Sequence, residues 1–342
     1  MSPKESRILA VTAVLAMAFG LSACVPVTAP NDPAPTTPTT TTPINGVVTT
    51  ISVVGGDPFG VAITPDGTKA YVTNFLTSTV SVIDTATNAV VGSPITVGNR
   101  PRRVAITPNG AFAGKAYVTN SDSDTVSVIN TATNTVSATI PDGDFPDGVA
   151  ITPDGTKAYV TNYISGTVSV IDTATDTIAG DPITVGNGPV GIAITPNGTK
   201  AYVANDSSNN VSVINTTTNA VTTISVGSGS EVVAITPDGT KAYVTLSSGQ
   251  VKVINTATDT IAGDPITVGT QPLGVAITPD GTKVFVTNWQ DGTVSVITTA
   301  TGAVSATITV GNNPHGVAIT PDGTKAYVAN KDSNTVSVIR IA

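Results

Sequence analysis

Apolar and polar residues alternate along most of this chain with a period of two. In Thr79-Val80-Ser81-Val82-Ile83 the β-branched positions fall on one side and the small hydroxyl residues on the other, which is the pattern of a strand rather than a helix. The same kind of segment returns at Thr335 to Ile339, and related ones recur between. The string Ala-Ile-Thr-Pro begins at Ala62, Ala105, Ala150, Ala193, Ala234, Ala276 and Ala318, with spacings of 43, 45, 43, 41, 42 and 42 residues. Seven units of this length predict a repeat architecture.

Four strands are predicted in each unit. Val-Ala-Ile-Thr is the first, and it stops at Pro-Asp-Gly or Pro-Asn-Gly. Proline presets φ at the second turn position and glycine accepts positive φ, so a tight hairpin follows. Lys-Ala-Tyr-Val-Thr-Asn is the second strand and Thr-Val-Ser-Val-Ile the third. After a turn such as Asp84 to Asn88 comes the fourth, of the Ala89 to Val97 type. That fourth strand follows a third near Ala89, Thr135, Thr177, Ala220, Thr260 and Ala303, but the seventh unit ends at Ala342 without one. Val47 to Val53 matches the missing piece, so an N-terminal strand is expected to complete the last blade and remove the open edges.

Tyr71-Val72-Thr73-Asn74, Tyr117-Val118-Thr119-Asn120 and Tyr159-Val160-Thr161-Asn162 resemble the YVTN family of β-propeller repeats, relatives of WD40-like blades. The resemblance spans residues 46–342 and implies an all-β, seven-bladed propeller of four-stranded antiparallel blades. It also implies a secreted or surface protein of bacteria or archaea. Departures are small: Ala204 and Ala329 stand for Thr, Leu246 for Asn, Phe285 for Tyr, and Ala111 to Gly114 lengthen one hairpin. Chemistry does not follow from this fold.

The first residues carry an address. Lys4 and Arg7 precede an apolar run, Ile8 to Leu21, that is too short to span a bilayer as a helix. Leu21-Ser22-Ala23-Cys24 resembles a bacterial lipobox, which implies cleavage after residue 23 and acylation of Cys24, the chain's one cysteine. Residues 24–45 form a linker in which Val25 to Pro43 contain seven Thr and six Pro, an extended, coreless composition suited to a stalk. The organisation is therefore a leader (1–23), a lipidated linker (24–45) and a propeller (46–342). The expected address is the bacterial cell envelope, outside the cytoplasm, with the bilayer as partner through Cys24.

Charge narrows the function. The 342 residues carry 15 Lys and Arg against 23 Asp and Glu, a net −8, and removing Lys4, Glu5 and Arg7 with the leader takes it to −9. Nucleic-acid binding, which depends on neutralising phosphates, is excluded as a general role. A single Cys and a single His exclude an internal disulfide and a structural zinc site. Gly186-Asn187-Gly188-Pro189-Val190-Gly191 has dinucleotide spacing, but a strand follows where a helix N-terminus would be needed. No cofactor or metal is expected.

Strand direction sorts the loops onto two faces. One is monotonous, with Lys69, Lys115, Lys157, Lys200, Lys241, Lys283 and Lys325 read as a solvated ring. The other carries the individuality: Phe59, Phe75, Arg100, Arg102, Arg103, Phe145, Tyr163, Glu231, Trp289 and His315 are its candidate binding residues. Aromatics and arginines on loops above a rigid scaffold suit recognition. The expectation is a monomeric binding or scaffold module without catalysis, holding an envelope protein or glycan on this face. Two alternatives stand beside it. One is a surface-layer or adhesion protein. The other is an extracytoplasmic hydrolase or lactonase of propeller type using Asp144, Asp147, Glu231, Arg102 and His315 in a central funnel.

Overall fold

The computed structural model describes residues 46–53 and 56–341. The leader, Cys24 and the Thr/Pro linker lie outside the described residues. Among the described residues the strands form seven antiparallel sheets, each a blade. Blades 1 to 6 open with the inner strands Pro58–Ile63, Pro101–Ile106, Pro146–Ile151, Pro189–Ile194, Ser230–Ile235 and Pro272–Ile277, and blade 7 with Pro314–Ile319. Each inner strand packs beside the next, and that of blade 7 returns to blade 1, so the ring is closed.

Closure uses the N-terminal strand. Val47–Ser52 is the outermost strand of blade 7 and pairs antiparallel with Thr335–Arg340, Ile51 opposite Val336 and Ser52 opposite Thr335. Ile51 and Val53 are buried with Val336, Val338 and Tyr327, against Ala70, Val72 and Ile83 of blade 1. The two ends of the fold are thus held by one sheet and one core.

Alternation explains why both faces of a blade are apolar. Tyr71 packs with Val104, Ala116 and Val118 of blade 2, whereas its neighbours Ala70 and Val72 pack against blade 7. Every blade is sandwiched, so its middle strands are buried on both faces. The motif threonine adds a polar link. Thr73 Oγ1 accepts from Gly60 N and donates to the Arg102 carbonyl of the next blade, both at 2.7 Å. Thr119, Thr161, Thr245 and Thr287 donate likewise to the carbonyls of Asp147, Val190, Leu273 and His315 at 2.6–2.9 Å. The two Thr-to-Ala departures, Ala204 and Ala329, precede the blades that present Glu231 and Phe59.

Two expectations are revised. The fourth strand is continuous in blades 2, 4 and 6, but in blades 1, 3 and 5 it breaks into short pairs such as Ala89–Val90 and Ile95–Thr96. A Gly and a Pro between the pieces (Gly92 and Pro94 in blade 1) interrupt the ladder. The lysine ring is also not simply solvated. Lys69 Nζ donates to the Thr131 carbonyl at 2.8 Å, Lys115 and Lys200 reach Asp176 and Asp259 at 2.8 and 2.7 Å, and Lys325 reaches the Thr85 carbonyl at 2.6 Å. Each bridges to a turn of the following blade, so these lysines tie neighbours together.

Candidate active site in the funnel

The site is built from one irregularity repeated seven times. Every inner strand slips register just after its first residue, as between Pro58 and Val61. Such a bulge re-aims a side chain. The residues at this slot are Phe59, Arg102, Asp147, Val190, Glu231, Leu273 and His315, one from each blade in ring order, and all seven line one cavity of about 520 Å³. The next position is Gly60, Gly148, Gly191, Gly274 or Gly316 in five blades, because a Cβ there would meet the following blade's backbone at 2.2–2.8 Å. Arg103 and Val232 depart from that rule. Arg103 consequently lines both the cavity and the narrow throat of glycines and valines beneath it.

A second tier comes from the loops that follow the motif asparagine: Phe75, Tyr163, Asp206, Trp289 and Lys331. Phe145 and Gln271 form part of a third, at the positive-φ position before each inner strand (φ 60° and 49°). Asp57, Arg100 and Asn313 hold the same conformation at this position, so it belongs to the repeat, and it is most strained for a residue as bulky as Phe145.

Nine of the ten candidate face residues therefore meet in one cavity. Arg100 does not: it is exposed at the rim, paired with Asp122 at 3.0 Å. Asp144 is exposed outside the cavity as well. Asp147, Val190, Asp206, Leu273 and Lys331 join the cavity although they were not among those ten. Gln271 was missed outright, and its signal was the shared slot with Phe145 before the inner strand.

Electrostatics divide the cavity. Asp147, 1% exposed, is clamped by Arg102 Nη1 at 2.6 Å and Arg103 Nε at 3.2 Å. The Arg102 guanidinium lies 4.6 Å from the Phe145 ring centre and 5.3 Å from that of Phe59, and Phe59 stacks on His315 at 4.2 Å. Burial, with Arg103, Lys331 and Arg102 nearby, pushes the His315 imidazole down to about 3, so it is neutral at ordinary pH. Glu231 is the opposite case. Burial, then the neighbouring Asp206 carboxylate, push its carboxyl up to about 7. Burial raises Asp206 too. Neither carboxylate has a hydrogen-bond or ion-pair partner among the described residues. Three polar atoms of the lining, Arg102 Nε, Gln271 Oε1 and Trp289 Nε1, are also buried without one. Among the described residues the other buried unpaired atoms are Asp142 Oδ2 and the motif-asparagine Oδ1 of five blades, which recur with the repeat, whereas the three in the lining are individual to this cavity.

Removing the clamped carboxylate tests the frame. Asp147→Ala leaves two guanidinium groups without their partner and is expected to cost about 3 kcal/mol of stability. Chemical denaturation checks this, and an unchanged midpoint would contradict the clamp.

Comparison with known proteins bears on the chemistry. Residues 179–342 match the family described as a lactonase, 7-bladed beta-propeller, and residues 104–181 match a YNCE-like beta-propeller. A solved chain of Kuenenia stuttgartiensis hydrazine synthase superposes with a TM-score of 0.76 at 26% identity, covering 85% of this chain and 97% of that one. No curated protein matches. The chain is a seven-bladed β-propeller related to the lactonase and YNCE-like propellers. This corrects the expectation of a module without catalysis. The lactonase match and the hydrazine synthase likeness favour an enzymatic role, and the matched stretch contains Asp206, Glu231, Leu273, Trp289, His315 and Lys331. Among the described residues no three His, Cys, Asp or Glu side chains gather as a metal-ligand set.

Proposed function

We propose that the protein is an extracytoplasmic hydrolase that opens lactone or similar ester bonds in the central funnel. The observation that carries this is Glu231, an unpaired carboxyl poised near neutral pH in a cavity that also holds two arginines. A group whose pKa lies near the working pH can both take and return a proton. Glu231 removes a proton from water as its oxygen bonds to the ester carbonyl carbon. Arg103, with Arg102, stabilises the negative charge that develops on the carbonyl oxygen. The tetrahedral intermediate collapses, the ring C–O bond breaks, and the proton on Glu231 passes to the leaving alkoxide. The product is a hydroxy acid. His315, neutral and stacked on Phe59, bounds the site without competing for the proton.

Support comes from the lactonase-type match and from the convergence of these groups in one funnel. The YNCE-like match accords with the address read from the leader. Our reading keeps the YVTN repeat as the finer description of the blades, and Cys24 as the acylated anchor that tethers the funnel to the membrane. Titration at constant pH tests the activity on a panel of γ- and δ-lactones, including sugar lactones. Base uptake above the blank is expected for at least one member; uptake equal to the blank for all would reject hydrolysis.

A further inference from the structure

The cavity has two unlike sides. Lys331, Arg102 and Arg103 come from blades 7 and 2, flanking blade 1. Asp206 and Glu231 come from blades 4 and 5, which stand nearly opposite in a ring of seven. On the basic side the aromatic faces are already covered by the protein's own cations: Arg102 lies within 5.8 Å of the Phe59, Phe75 and Phe145 ring centres, and Arg100 and Lys331 also approach Phe75, at 5.3 and 5.6 Å. The acidic side repeats half of that arrangement. Tyr163 of blade 3 and Trp289 of blade 6 flank Asp206 and Glu231, and among the described residues no cation lies over either ring. Carboxylates outside any ion pair, beside aromatic rings that no cation covers, form the complement of an alkylammonium group; Tyr163 keeps one ring contact, with Phe145 at 5.8 Å.

We propose that the funnel selects a substrate bearing a cationic nitrogen, which sits against Asp206 and Glu231 between Tyr163 and Trp289 while its carbonyl points to Arg103. The carbonyl half of this statement rests on the hydrolytic reading; the nitrogen half does not. Charge complementarity also supplies a coupling. An ammonium beside Asp206 and Glu231 offsets the repulsion between the two carboxylates and draws Glu231 into its ionised form, so the correct substrate readies the base that activates the attacking water.

The test compares L-homoserine with 4-hydroxybutanoate, its analogue lacking only the ammonium, by calorimetric titration of the intact protein. Homoserine is expected to bind at least about tenfold more tightly, the size of a charge-assisted contact. Asp206→Asn is expected to bring the two within about twofold, and Tyr163→Leu to reduce the preference about threefold. Far-UV circular dichroism on both variants shows that the fold is retained, and either one alone suffices as the control. Equal binding of the two probes, or tighter binding of 4-hydroxybutanoate, overturns the inference. The activity is separated by running α-amino-γ-butyrolactone and γ-butyrolactone in the hydrolysis assay. If no member of the lactone panel, these two included, is opened while homoserine still binds preferentially, the hydrolytic reading fails and the nitrogen site stands.

Discussion

Glu231→Gln is expected to lower lactone hydrolysis about a hundredfold or more, the usual contribution of a positioned acid–base group. The wild-type pH profile should carry the same signature. A base must be deprotonated to act, so kcat/KM should rise with pH and reach half its limit near 7, where burial and Asp206 place the Glu231 carboxyl. The residual activity of the variant should show no such step. Stability should move the other way. The folded carboxyl lies above its ordinary 4.5, so folding takes up a proton between those two values, and wild-type stability falls as pH rises across that window. The penalty is fully present above about 7 and absent below about 4.5. Glutamine removes it: the variant should be more stable than wild type at about pH 8 and no more stable at about pH 4. A variant both inactive and less stable at the higher pH would show that Glu231 is a structural residue, and the assigned role would be lost.

Deleting Val47–Ser52 should produce the largest loss of stability. Burial contributes about 1.5–3 kcal/mol for each large aliphatic side chain. The deletion takes Ile51 out of the core, frees Val53 from its anchor, and uncovers Val336 and Val338. A loss of about 6 kcal/mol or more follows. Thr335–Arg340 would become an exposed edge, a template for pairing with another chain. Thermal unfolding and size-exclusion chromatography read the outcome. Ile51→Asp should reproduce part of the effect with the chain length unchanged. A truncated protein as stable and monodisperse as the full chain would mean that blade 7 does not depend on its N-terminal strand.

The contrast between the two predictions follows what could be read from residues alone. The blade was legible because its causes are local: period-two alternation, Pro-Asp-Gly turns and a 41–45-residue repeat each leave a mark in the order of residues. Ring closure was legible by counting, since one strand was missing at one end and present at the other. The broken fourth strands and the bridging lysines were not read correctly. A Gly and a Pro two positions apart do not announce whether a ladder survives them, and a lysine's partner lies about 60 residues away in the next blade.

For the site, the sequence supplied the list of unusual residues but not their grouping. Phe59, Arg102, Asp147, Glu231 and His315 are spread over more than 250 residues, and nothing local to any of them says that a bulge turns it inward. Nor could the sequence tell Arg100, which faces solvent, from Arg102 and Arg103. Repetition by itself determined the propeller and which loop face varies. Only the closed ring decided that seven separate slots share one funnel. There, loss of water and the proximity of like charges raise Glu231, and loss of water and neighbouring cations hold His315 neutral, because desolvation and Coulomb interaction depend on distance in space and not along the chain.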